Sequence, residues 1–194
     1  MKERRFHASR AHRLDAPDRL TWLPPAEIVA AVGAQPGDAI ADIGAGTGYF
    51  ALPLAQVAGP QGLVYAVDAQ QEILDLLKFK LPASGGGNIH LVQAEAEATG
   101  LPATSCTLAF LANVWHEFDD RTLVLAEVRR ILRPHGRIAI VDWRPDVARE
   151  AGPPLEHRLP SDLAERELVT AGFAALSHVN VGKFHWLVLA ERTS

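Results

Sequence analysis

Short apolar runs alternate along the chain with stretches whose apolar residues recur at three- and four-residue intervals. The runs Ala39–Ile43, Leu63–Val67, Ile89–Val92, Thr107–Leu111 and Arg137–Val141 predict five strands, each bounded by glycine, proline or polar residues. Between them, three segments carry a helical stripe. These are Tyr49–Val57, Gln70–Lys80 with Ile73, Leu74, Leu76 and Leu77, and Asp120–Leu132 with Leu123, Leu125, Val128 and Ile131. A leading helix is expected to start at Pro24-Pro25, to bury Ile28, Val29 and Val32, and to stop at Gly33 or Gly37. Pro134-His135-Gly136 reads as a turn into the fifth strand. After that strand, Ser161 is expected to cap a helix running to Ala171, with Gly172 as its stop. Two closing strands, Ala175–Val181 and Phe184–Ala190, flank a tight hairpin at Gly182-Lys183. Strands this apolar need cover on both faces, so the expected fold is α/β and doubly wound. Its seven-stranded sheet is mostly parallel, and the C-terminal hairpin supplies an antiparallel edge.

Composition narrows the class. At 194 residues one domain is expected, and 48% hydrophobic with 22% charged residues is globular rather than disordered. The net charge of −4 lacks the basic footprint of a nucleic-acid binder, so no nucleic-acid partner is expected. The single cysteine, Cys106, permits no internal disulfide and no thiolate cluster, and reads as a small buried hydrophobe. No apolar run is long enough to span a membrane. The opening Met1-Lys2-Glu3-Arg4-Arg5 leads into no apolar signal core, so a cytoplasmic protein is expected. Gly85-Gly86-Gly87 reads as a flexible turn.

The sharpest chemical signal is Asp42-Ile43-Gly44-Ala45-Gly46-Thr47-Gly48, placed between a strand and a helix. Its glycines permit positive φ and a close backbone approach to a ligand, and free amides at the helix start would bind an anion. Gly46-Thr47-Gly48-Tyr49-Phe50-Ala51 also satisfies the dinucleotide pattern G-x-G-x-x-G/A. Asp68, at the end of the second strand, suits ribose hydroxyls under either reading and does not discriminate. Three features do: Asp42 would repel a pyrophosphate but attract an amino or sulfonium group, a helix precedes the first strand, and the last strand is reversed.

With these residues the chain resembles the class I S-adenosylmethionine-dependent methyltransferases over about residues 24–190. The resemblance implies a Rossmann-like core over residues 25–190, a variable extension over 1–24, and S-adenosyl-L-methionine as cofactor. It implies that Asp42 acts on the cofactor amino group, that Gly44, Ala45, Gly46 and Gly48 give close backbone approach, and that Asp68 holds the ribose. Ala94-Glu95-Ala96 lines up with the family's Gly-Asp-Ala, which places Glu95 on the adenine amino group and the Ala96 amide at the ring. Leu101-Pro102 precedes the fourth strand, and Thr107 replaces an acid often found at its start. Asn113-Val114-Trp115-His116-Glu117-Phe118 resembles the segment lining the cofactor and acceptor cavity, with Asn113 on the cofactor side. Arg129–Arg137 resembles the family's R-x-L-x-P-G-G turn, with His135 in place of the first glycine.

The acceptor side is read from the sheet's carboxyl edge, where open α/β sheets bind ligands. His116 and Asp142 are the candidate catalytic groups, as base and cavity acid. Trp22, Glu117, Trp143, His157 and Arg158 are candidate acceptor contacts, the last two from the charged loop Gly152–Leu159. The opening segment through Trp22 is expected to cap the cavity. No metal is expected, because His116, His157, Glu117 and Asp142 show no ligand spacing. The partner expected is a small-molecule acceptor, with homodimerisation left open. An Asn/Asp-Pro-Pro-Tyr base methyltransferase is disfavoured by Asn113-Val114-Trp115-His116, and arsenite chemistry by the lone cysteine. A Rossmann oxidoreductase and a non-catalytic binding module are the competing readings.

Overall fold

The computed structural model describes residues 8–81, 87–148 and 152–194. The first seven residues of the expected extension, and Gly85 and Gly86 of the expected turn, lie outside them. Seven strands form one sheet: β1 (Ala39–Ile43), β2 (Leu63–Asp68), β3 (Ile89–Gln93), β4 (Cys106–Ala112), β5 (Leu132–Trp143), β6 (Phe173–Val181) and β7 (His185–Arg192). Their order is β3-β2-β1-β4-β5-β7-β6. The first five strands run parallel, and β7 is antiparallel to both β5 and β6. The reversed strand therefore lies inside the sheet, and β6 forms the margin where an antiparallel edge was expected.

Helices cover both faces, as strands apolar on both sides require. On one face, α2 (Pro25–Val32), α3 (Ala51–Ala58) and Leu77 of α4 (Gln71–Lys80) pack on Val64, Leu108, Phe110, Ala139 and Val141. On the other, α5 (Arg121–Ile131) and α6 (Ser161–Thr170) bring Val124, Val128, Ile131, Ala164 and Leu168 onto Ile43, Val67, Ala109, Leu111 and Ile140. Consecutive residues of β4 thus alternate between the two cores, the period-two consequence of a pleated strand. Among the described residues, no helix is long and apolar enough to cross a membrane.

Several boundaries differ from the sequence reading for local reasons. Asp120 caps α5: its carboxylate accepts from the Thr122 amide at 3.0 Å and the Leu123 amide at 3.3 Å. Ser161 does not cap α6; it is the first helical residue, after Pro160. The fifth strand begins at Leu132, directly from α5, and the turn at Pro134-His135-Gly136 survives as a bulge within it. The ladder skips from Cys106↔Leu132 to Leu108↔Arg137, and His135 sits at φ +61°. At its other end β5 includes Asp142 and Trp143, which the sequence placed just beyond the strand. The lead segment, expected as a variable extension that caps the cavity, holds a 3-10 helix over Ala8–Arg13 and a single turn α1 (Arg19–Trp22).

Candidate active site

The carboxyl ends of β1, β2, β4 and β5 lie along one edge of the sheet, and the candidate residues gather there. Asp42, the penultimate residue of β1, is 2% exposed, and its Oδ2 is buried without a hydrogen-bond partner. Burial, with the nearby Asp68 charge adding and the Arg19 charge opposing, pushes its pKa up to about 8. A cationic amino group placed against that oxygen would favour the charged carboxylate that burial alone disfavours.

Above it the loop takes positive φ at Gly44, Gly46 and Gly48, at +77°, +56° and +86°. The loop amides are not free, contrary to the anion-site expectation. Gly44 and Ala45 donate to the Val67 carbonyl at 2.8 and 3.0 Å, Gly46 donates to Asp68 Oδ2 at 3.0 Å, and Gly48 donates to the Ala45 carbonyl at 3.0 Å. A pyrophosphate has no cradle of these four donors to occupy, which removes the main attraction of a dinucleotide reading. The space that the missing side chains leave is used by the protein itself. A Cβ on Gly44 would stand 2.5 Å from Val114 Cγ1, and one on Gly48 would stand 2.3 Å from Leu77 Cδ1. Gly48→Ala should therefore lower unfolding stability by about 2–4 kcal/mol through strained φ and a core clash. Urea denaturation checks this, and a wild-type midpoint would refute the packing argument.

Asp68 is half-buried and holds the loop from below. Its two carboxylate oxygens accept from Gly46 and from the Gln70 amide, each at 3.0 Å. Glu95 is exposed and Ala96 half-buried, in a tight turn just beyond β3 closed by a Glu95↔Ala98 bridge. Asn113 follows β4 at φ +61°, donates its amide to the Val141 carbonyl at 2.8 Å, and leaves Oδ1 buried without a partner.

The structure brings His116 and Asp142 together. The single turn Trp115–Glu117 turns the His116 ring back onto β5, where Nδ1 lies 2.8 Å from Asp142 Oδ1 and 3.0 Å from Oδ2. Asp142 also accepts from the His116 amide at 2.9 Å and the Trp143 amide at 2.7 Å. Both side chains are buried. Burial works against the imidazolium, but the Asp142 charge and hydrogen bond, aided by Glu117, outweigh it and raise the His116 pKa. Glu117 stands 3.9 Å from His116 Nε2.

Trp22 and Trp143 meet at the same edge, with ring centroids 5.4 Å apart, and His185 stacks on Trp22 at 5.6 Å. Arg158 is buried and committed to the backbone. It donates to the carbonyls of Pro153, Arg144 and Val147 and lies 5.1 Å over the Trp143 ring, anchoring the Gly152–Leu159 loop. His157 is half-buried in the turn Leu155–His157 of that loop. Among the described residues, no group of three or more His, Cys, Asp or Glu side chains is placed to hold a metal ion.

Sequence reading expected the lead segment to cap the cavity but singled out neither Asp15 nor Arg19. Asp15 accepts from Thr47 Oγ1 at 2.9 Å and from Lys80 at 2.6 Å. Buried Arg19 lies 3.9 Å over the Tyr49 ring, and Tyr49 donates its hydroxyl to the Leu23 carbonyl at 2.8 Å. The Asp15-to-Arg19 spacing of one helical turn beside Trp22 was the available signal.

Known proteins place the chain in a family. A family model for the methyltransferase domain matches residues 41–140. A SAM-dependent methyltransferase from Aquifex aeolicus superposes with a TM-score of 0.90 at 29% identity, over 96% of this chain and 99% of that one. The ubiquinone/menaquinone biosynthesis C-methyltransferase UbiE of Vibrio parahaemolyticus is 31% identical over 112 residues, 57% of this chain and 43% of that protein. Its counterpart from Francisella philomiragia is 31% identical over 118 residues, 60% of this chain and 47% of that protein. The chain spans less than half the length of these curated relatives. It belongs to the methyltransferase-domain family, within the class I S-adenosylmethionine-dependent methyltransferases.

Proposed function

We propose that this chain methylates a small-molecule acceptor whose reacting atom must lose a proton, and that the His116–Asp142 pair receives that proton. S-adenosylmethionine supplies, when bound, an electrophilic sulfonium methyl and its own leaving group. The residues fit that cofactor: the unpartnered Asp42 oxygen suits the amino group, and a glycine loop with spent amides suits an uncharged stretch of ligand. Asp68 serves the ribose hydroxyls, Glu95 and the Ala96 amide serve the adenine, and the Asn113 amide oxygen accepts a further donor.

The observation that carries the acceptor reading is the buried 2.8 Å contact between His116 Nδ1 and Asp142. A carboxylate that accepts from Nδ1–H fixes the tautomer and leaves Nε2 as the proton acceptor. Methyl transfer to a nucleophile that already carries a lone pair and no acidic proton needs no such group. The pair therefore favours phenol-, enol- or hydroquinone-type acceptors, methylated at oxygen or at an activated ring carbon. The curated relatives' named C-methylation in quinone biosynthesis falls within that class. Trp22, Trp143, Glu117 and His157 are assigned to the acceptor side, under the cover of the lead segment.

Isothermal titration with S-adenosylhomocysteine, followed by a labelled-methyl assay on a panel of phenols, hydroquinones and thioethers, tests this. Binding of the cofactor product and label in the phenolic acceptors are expected. Label only in thioethers, which have no proton to lose, would overturn the role given to His116, and binding without label in any acceptor would favour a non-catalytic module. Asp68→Ala should weaken S-adenosylhomocysteine binding by about 10- to 100-fold, the value of a charge-assisted hydrogen bond pair. Unchanged affinity in the same titration would remove Asp68 from the site.

A further inference from the structure

Residues 14–19 of the lead segment lie across the glycine loop. A Cβ on Gly46 would stand 3.2 Å from Leu14 Cδ1, and Asp15 is engaged by Thr47 and Lys80. Arg19 is 7% exposed; its Nη1 donates to the Leu14 carbonyl at 2.7 Å, while its Nε is buried without a partner. A buried guanidinium stacked on one ring is poorly compensated. Desolvation pulls its pKa down to about 10, against the raising influence of Tyr49, Asp15 and Asp42. Arg19 and Asp42 feel each other's charge, yet the Nε of one and the Oδ2 of the other are both buried without hydrogen-bond partners. A buried guanidinium and a buried carboxyl that do not close on one another suit a zwitterion, whose carboxylate would meet the first and whose ammonium would favour the ionised form of the second.

We propose that Arg19 binds the α-carboxylate of the methionyl group while Asp42 binds its α-amino group, so that the lead segment supplies half of an amino-acid clamp. This rests on the cofactor reading of the loop. It makes Arg19 a specificity residue, which admits adenosyl thioethers bearing an amino acid and rejects those without one. The planar fork of arginine suits a carboxylate better than a lysine would.

The test compares, by calorimetry on the full chain, S-adenosylhomocysteine with its decarboxylated analogue, which keeps the amine and lacks the carboxylate. Wild type should prefer the carboxylate form by about 10-fold or more, the range of a charge-assisted hydrogen bond. In Arg19→Gln the preference should shrink to about 3-fold or less, with affinity for the decarboxylated analogue nearly unchanged, and Arg19→Lys should fall between. Equal wild-type affinities for the two ligands overturn the proposal without any variant, and leave the cofactor reading standing. An equal loss for both ligands in a folded Arg19→Gln also overturns it, because a merely structural arginine would act that way. If Arg19→Gln fails to fold, the wild-type ratio and Arg19→Lys decide. Failure of folded wild type to bind either ligand overturns both readings together.

Discussion

Asp42→Asn is expected to melt at a higher temperature than wild type in the cofactor-free protein near pH 9, and to lose measurable binding of S-adenosylhomocysteine. The folded state holds the Asp42 proton up to about pH 8, whereas the unfolded chain releases it near 3.8. Between those values the native state binds more protons than the unfolded state, so stability falls as pH rises through the window. Above it the protein carries the full cost of a buried carboxylate, roughly 2–5 kcal/mol after allowance for relaxation and for burying the replacement amide. Removing the charge should raise the melting temperature by about 5–15 °C for a domain of this size, and the gain should vanish below pH 4. Calorimetric scans at the two pH values check both parts. A lower melting temperature at pH 9 would mean that the carboxylate is already paired, and the site would lose its claim on an amino group. The trade is the one expected where a functional group is held in a destabilising place.

Asp142→Asn should cut kcat by about 10²- to 10⁴-fold, the usual contribution of general base catalysis. The carboxylate accepts from the His116 ring, the His116 amide and the Trp143 amide, and an amide cannot satisfy all three in the same tautomer. The pH profile separates this from general damage. Because the His116 pKa is raised, wild-type kcat/KM should climb with pH along an acid limb whose midpoint lies above 6.5. In the variant burial remains and the countercharge is gone, so the surviving activity should titrate below that value. A limb that stays in place would show that His116 is not the titrating group. The same shift has a stability signature: the His116–Asp142 attraction contributes fully below pH 6.5 and fades as pH rises through the raised folded value.

The strands and the two-faced core were legible because β1, β2, β4 and β5 are nearly continuous apolar runs, which only a doubly covered parallel sheet tolerates. Asp42 and Asp68 were legible as a pattern, since a strand–loop–helix–strand unit sets one near the end of each of its two strands. The His116–Asp142 pairing was not: 26 residues separate them, and only the β4–β5 register, Ala112↔Val141, brings their strand ends level. The spent loop amides were hidden for a related reason, because Val67 and Asp68 reach them from a neighbouring strand. Arg19 went unweighed because one of several arginines in a polar lead looks solvated. Its burial depends on Tyr49 and Leu14, and neither marks it in the sequence. Trp143 was placed beyond β5 because its pairing with His185 comes from the reversed β7, which no periodicity in β5 announces.

That β4–β5 register has an evolutionary consequence. The His116–Asp142 pair sits at the β4 and β5 ends that the sheet ladder holds level, whereas the covering pieces, the lead segment and the Gly152–Leu159 loop, are held in part by side chains such as Arg158 and Tyr49. Under the role proposed for that pair, descendants of this scaffold can exchange those covers without retuning it. Chimaeras that graft the covers of one relative onto the sheet of another should inherit the acceptor preference of the first and the pH profile of the second.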